Sequence, residues 1–385
     1  MSRKLPNSVT VRVPGSTSNC GSGFDTLGLA LSIYNDIALT RGDWSGARPM
    51  TDRDNAGLGM ADEAAALFFV RTGVEEFGYE LGLTGEVPMS RGLGSSVTLR
   101  AGVVAALNEM SGAKLTKNDL CTLVTQLEGH PDNATAAVLG GFCVARCHPH
   151  TGELLGVLRR RIGRDLCFVV ASPDQELETR KARGILPKEL PYFDAIKSVN
   201  SATYVVAAIL SGEYDRLRDA VCDFLHEPYR LPLIPGAKGA IEAGVAAGAL
   251  AGWLSGSGSS VLCVARPAKA ARVGRAMAAA FKAHKLPATI HPLFADNRGL
   301  RVVGRGSLTP PRGKILGASP EAFGQDSSCP AFVGATLVAT VACKHAPTIK
   351  PSRSKPRGIG PKENMAGSAS RPAKSGGLRV LKRRA

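Results

Sequence analysis

Val9, Val11 and Val13 alternate with polar residues, a period of two that predicts a half-buried strand running into the loop PGSTSNCGSGFD. A second strand is predicted over YNDIALT. Across residues 61 to 77 Ala, Leu, Phe and Val recur at helical spacing, and ELGLTGEV then returns to alternation. Helical spacing follows over residues 96 to 110 and 117 to 127, and HPDNATAAVLGG reads as a breaker opening a short helix. Strands are predicted at 142 to 146, 154 to 162 and 165 to 171. Helices dominate thereafter, at 199 to 210, 213 to 226 and 267 to 283, around LAGWLSGSGSSVLCVAR, a strand, glycine turn and strand. No fixed-period repeat is present.

The 385 residues are enough for two domains with real cores. Hydrophobic content of 44% and charged content of 21% are ordinary for a soluble protein and exclude collagen, mucin and wholesale disorder. The net charge of +16 points to nucleic acid until it is located. Residues 304 to 385 carry 15 Lys or Arg against 3 Asp or Glu, which is +12, and leave only +4 on the remaining 303 residues. This Pro-, Gly- and Ser-rich segment reads as a disordered basic low-complexity extension with an apolar island at 331 to 343. That island, at 13 residues, is too short to span a bilayer, and MSRKLPNSVTVRVPG has no apolar signal core, so a cytoplasmic protein without membrane contact is expected. Nine cysteines without framework spacing fit reduced thiols, and Cys143, Cys147 and His148 suggest a metal only faintly because no second ligand pair follows.

Candidate chemistry begins at VPMSRGLGSSVTLRAG, residues 87 to 102, where a proline and glycines precede paired serines and a helix. A glycine turn at a helix start offers backbone N–H groups and a positive dipole end to an anion, and lets a phosphate approach closely. No Gly-Lys-Ser or Gly-Lys-Thr follows, which excludes a Walker loop, and the third glycine of the dinucleotide fingerprint is missing. A hydroxyl at that position can cap the helix or ligate Mg²⁺.

The pattern Pro88-x-x-x-Gly92-Leu93-Gly94-Ser95-Ser96 resembles the nucleotide loop of the GHMP kinases. VPGSTSNCGSGFDTLGLAL resembles that family's N-terminal substrate motif and LSGSGSSVLCV its third, glycine-rich motif, in the expected order. EGHPDNATAAVLGG is similar to the homoserine kinase pattern, with Asn133 where mevalonate kinases and galactokinases place an aspartate. LETRKARGILP and HEPYRLPLIPG resemble segments that each supply an arginine to the site. Two arginines suit an amino-acid carboxylate, because a guanidinium fork pairs with it bidentately.

The resemblance covers residues 8 to 303 and implies a two-domain α+β fold. An N-terminal domain like ribosomal protein S5 domain 2 is expected over 1–160 and a ferredoxin-like C-terminal domain over 161–303, with the site between them. It implies transfer of the γ-phosphoryl of ATP, with Mg²⁺, to the hydroxyl of L-homoserine in threonine biosynthesis, by a homodimer. By position, Asn19, Asp25, His130, Thr179, Arg183 and Arg230 would bind homoserine, Asp25 through its ammonium and the two arginines through its carboxylate. Asn133 would orient the attacking hydroxyl, and Ser96 and Glu128 would hold Mg²⁺. Pro88, Arg91, Gly92, Leu93, Gly94, Ser95 and Ser96 would cradle phosphates, with Asn55 near adenine. Val97 after the paired serines, and Ser259 and Ser260 in the third motif, depart from the family pattern while leaving hydroxyls in place. The alternatives are a GHMP kinase for another small alcohol (threonine, shikimate or mevalonate) and nucleic-acid binding through the tail, which its scarcity of stacking aromatics disfavours.

Overall fold

A computed structural model of the chain describes residues 5–177 and 179–306. The segment 307 to 385, with its apolar island, lies outside the described residues, as do the side chains of Thr179 and Arg180.

The first half runs β1 (Ser8–Ser18), β2 (Leu27–Gly42), β3 (Ala47–Pro49), α1 (Leu58–Thr72), β4 (Gly78–Gly85), α2 (Ser95–Ser111), α3 (Lys117–Glu128), α4 (Asp132–Leu139), β5 (Phe142–Cys147) and β6 (Leu154–Arg160). The second runs β7 (Cys167–Pro173), α5 (Thr179–Gly184), α6 (Tyr192–Ser211), α7 (Glu227–Arg230), α8 (Ala237–Ala246), β8 (Ala251–Leu254), β9 (Val261–Ala265), α9 (Pro267–Ala283), β10 (Ala288–Leu293) and β11 (Arg301–Arg305).

Val9, Val11 and Val13 are wholly buried, and with Ile37 and Leu39 of β2 they pack under α1 to α4, as a period-two pattern on a covered sheet requires. The seven-stranded sheet has the order β11-β1-β2-β4-β3, with β5 on the early end of β2 and β6 on β5. The composition shift at Gly304 falls inside β11, whose Gly304 and Arg305 still pair with Thr10 and Val9.

The second sheet is antiparallel in the order β10-β7-β9-β8. Numbered along the chain, that is four-one-three-two, the ferredoxin-like order. β7 is buried on both faces: Val169 and Ala171 meet α8 and α9, while Phe168 and Val170 share a core with Leu29 and Leu31 of β2. The fold is therefore two-domain α+β, with a core joining the sheets.

The helix predicted over 213 to 226 is not one helix. A 3-10 turn spans Tyr214–Asp219, after which Ser201 Oγ binds the Ala220 carbonyl and the Cys222 amide. Asp223 then accepts the amides of Leu225, His226 and Glu227. Side chains that satisfy backbone groups locally outcompete the helix there.

Candidate active site

The glycine turn ends at Gly94, which stands just before α2 with φ 72°. A Cβ on Gly94 would lie 2.6 Å from Ser16 Oγ, and one on Gly92, φ 70°, would lie 2.1 Å from the Ser255 carbonyl oxygen. Both positions thus need glycine for conformation and for space. No side chain caps α2, and the residues at its start, Gly94, Ser95 and Ser96, line the pocket with Gly92, which places the helix's positive end at it.

At the helix start, Ser96 Oγ donates to Glu128 Oε2 at 3.2 Å, and one turn on Arg100 Nη1 binds Glu128 Oε1 at 2.8 Å. Arg100 is shared with Glu63 at 2.5 Å. A hydroxyl and a carboxylate at a helix start are hard oxygen donors of the kind Mg²⁺ takes, so these residues fit the ion. Arg100 holds one carboxylate oxygen aside and leaves the other toward Ser96.

At the start of α4, Asn133 is 9% exposed and fixed by two hydroxyls: Ser16 Oγ donates to its Oδ1 at 2.8 Å and its Nδ2 donates to Ser18 Oγ at 3.0 Å. Next to it, the buried Asp132 carboxylate accepts the Asn133 amide at 2.7 Å and meets His130 Nδ1 at 2.6 Å. Burial works against charge on His130, but Asp132 outweighs it and leaves the imidazole above its ordinary pKa.

The opposite wall is assembled from distant segments. Asn19 and Asp25 both have left-handed backbones, φ 68° and 51°, and Asn19 holds the loop by accepting the Asp25 amide and donating to the Gly256 carbonyl. Asn19, expected at the substrate, has its amide already engaged at both ends by the protein. Arg183 on α5 forms a two-pronged pair with Asp25, at 2.6 and 3.0 Å. Arg230 on α7 is 1% exposed and donates to the carbonyls of Ala182 and Gly256. Burial, then repulsion from Arg183, pushes its pKa down to about 10. Both guanidinium groups stack on Phe24, at 5.4 and 5.2 Å from the ring centre.

The pocket therefore brings together Asn19, Asp25, Gly92, Gly94, Ser95, Ser96, Glu128, His130, Asn133, Arg183 and Arg230. Four expected residues are not on its wall. Asn55 is exposed and its amide bonds the Asp52 carbonyl. Arg91 turns away to the carbonyls of Pro173 and Met89 and to Asp174 and Glu176. Leu93 is wholly buried and contributes its carbonyl to Ser16, and Pro88 is half-buried and does not line the pocket. The Thr179 side chain, expected at the substrate, lies outside the described residues.

Sequence reasoning missed Ser16, Ser18, Phe24 and Asp132, although each stands inside a motif quoted above. The hydroxyls of STS and the aspartate beside Asn133 were the available signals. Among the described residues Cys143, Cys147 and His148 do not gather into a ligand cluster; the Cys143 thiol approaches the Gly140 carbonyl, and His148 Nδ1 accepts the amides of His150 and Thr151. The seven described cysteines are free thiols.

Comparison with known proteins agrees with this geometry. Residues 60–141 match the GHMP kinases N terminal domain and residues 205–283 match GHMP kinases C terminal. The homoserine kinase of Moorella thermoacetica is 36% identical over 302 residues, 76% of this chain and 99% of that protein. The homoserine kinase of Microchaete diplosiphon is 35% identical over 78% of this chain and 99% of its own. The crystal structure of homoserine kinase from Cytophaga hutchinsonii superposes with a TM-score of 0.71 at 27% identity, covering 79% of this chain and 99% of that one. With the glycine turn, the Glu-Gly-His-Pro-Asp-Asn segment and both arginines meeting in one pocket, the chain belongs to the homoserine kinases of the GHMP kinase family.

Proposed function

We propose that the protein transfers the γ-phosphoryl group of ATP to the hydroxyl of L-homoserine, giving O-phospho-L-homoserine for threonine biosynthesis. One observation carries the reading: an uncapped helix start and two guanidinium groups share one pocket. The first suits a polyphosphate and the second a carboxylate, while Asp25 supplies a partner for an ammonium. Relatives that are homoserine kinases over nearly their whole length support the same substrate.

In this reading the amides around Gly92, Gly94 and Ser95 cradle the phosphates, and Ser96 and Glu128 hold Mg²⁺. Bound there, the ion would neutralise charge on the β- and γ-phosphates. Asn133, clamped by Ser16 and Ser18, holds the acceptor hydroxyl in line. An amide does not take a proton at neutral pH, so alignment and charge stabilisation of a loose transition state supply the rate. Arg183 and Arg230 take the carboxylate and Asp25 the ammonium, with His130 beside them.

A substrate panel of homoserine, threonine, shikimate and mevalonate, followed by ADP release with Mg²⁺, tests the assignment. Homoserine is expected to have the highest kcat/KM, and a higher value for any other alcohol overturns it. The expected homodimer is part of this reading; exposed Tyr192, Phe193, Ile196 and Val199 on α6 are apolar surface that a second copy could cover. Light scattering at twice the protomer mass checks it. No helix among the described residues is long and apolar enough to cross a membrane.

A further inference from the structure

Arg183 and Arg230 are unequal, although both are assigned to one carboxylate. Arg230 is wholly buried and pinned by the Ala182 and Gly256 carbonyls, and among the described residues no carboxylate lies within ion-pair distance of it. Arg183 sits on a six-residue helix, and its side chain is 38% exposed; its partner Asp25, 31% exposed, occupies the position expected to take an ammonium. A pair this open to water is cheap to separate, whereas a fully buried one is not. Among the described residues, the resting pocket therefore holds a fixed cation without a paired carboxylate and a separable internal pair whose two halves are the partners a zwitterion needs.

We propose that the Asp25–Arg183 pair is a stand-in for the substrate and that an amino acid enters by exchange. The substrate ammonium replaces Arg183 on Asp25, the substrate carboxylate takes the released Arg183 together with Arg230, and every charge keeps a partner. The inference rests on the proposed site and adds to it a rule of specificity. A substrate with the ammonium alone must open the pair and leave Arg183 unpaired, and one with the carboxylate alone either forgoes Arg183 or opens the pair and leaves Asp25 unpaired, so each is discriminated against by more than its missing contact. A substrate with neither charge leaves the pair closed. Selectivity for zwitterions is then cooperative, and it comes from the protein's own ion pair.

The test uses the full-length enzyme and four alcohols: L-homoserine, 4-hydroxybutyrate without the ammonium, 3-aminopropan-1-ol without the carboxylate, and propan-1-ol without either. Exchange requires the product of kcat/KM for homoserine and propan-1-ol to exceed that for the two singly charged alcohols by about tenfold or more. In Asp25→Asn, which keeps a residue tolerant of the left-handed backbone, Arg183 is already free. There 4-hydroxybutyrate is expected to improve about tenfold over its wild-type value while homoserine falls, and Arg183→Gln should likewise favour 3-aminopropan-1-ol. Additive losses across the four alcohols, or an Asp25→Asn enzyme that loses 4-hydroxybutyrate along with homoserine, overturn the exchange and leave the kinase assignment standing. No turnover of homoserine by the wild type removes the assignment and the exchange with it. Should neither variant fold, the four-alcohol comparison in the wild type decides alone.

Discussion

The two ends of the pocket are built differently. The end proposed for phosphates is one continuous stretch of chain, in which Gly92 and Gly94 set the backbone and α2 supplies amides and dipole. The amino-acid end is assembled from β1's following loop, α4, α5 and α7, and its side chains meet only when both sheets are in place. The contrast teaches that the first end is defined by local conformation and is intolerant of any side chain, while the second is defined by charge and tolerates change in proportion to the charge lost.

The sharpest way to break the comparison is Gly94→Val. A β-branched residue at φ 72°, with its Cβ 2.6 Å from Ser16 Oγ, strains the backbone and disturbs the hydroxyl that fixes Asn133. A loss of about a thousandfold or more in kcat/KM is expected, by analogy with removal of preorganised donors. Near-normal ATP affinity in a folded Gly94→Val protein would mean that the phosphate end is not made of backbone.

Arg230→Met comes next. Removing the fixed buried cation is expected to raise the KM for homoserine about a hundredfold while changing the KM for ATP little, because the loss is confined to one end. Equal rises in both would show that the ends are not independent. Asn133→Ala is expected to lower kcat by about a hundredfold with smaller changes in either KM, as a lost alignment does.

The smallest effect concerns stability at the charged end. Burial raises the Glu227 carboxyl on α7 to about 8, although it accepts the Leu254 amide at 2.6 Å. The folded protein therefore binds a proton there that the unfolded chain, with the ordinary value of 4.5, has released. Stability attributable to this group falls as pH rises from about 4.5 to 8. Glu227→Gln should flatten that slope in denaturant titrations at pH 5 and pH 8, and an unchanged slope contradicts it.

The same contrast decides how much could be read from the chain alone. The glycine turn before α2 was legible because its signal is local: glycines, paired serines and a helical run adjoin in sequence. The strands and helices with clear periods, such as β1, α2 and α9, were legible for the same reason. Arg183 and Arg230 were found only through resemblance, since neither spacing nor period reveals that both stack on Phe24. The partnership of Asp25 with Arg183 joins residues 158 positions apart, and no local pattern encodes it. Arg91 adjoins the glycine turn, yet its guanidinium is drawn to Pro173 and Asp174 across the chain, a contact no local pattern encodes. The false helix over 213 to 226 had the right apolar spacing, but Ser201 and Asp223 take its backbone groups.

The most direct test is a crystal structure with a non-hydrolysable ATP analogue and L-homoserine. The account requires the terminal phosphates against the amides that begin α2 and the amino-acid carboxylate against Arg230, with the hydroxyl beside Asn133. Either ligand bound elsewhere, or homoserine turned with its hydroxyl away from the phosphates, would contradict it.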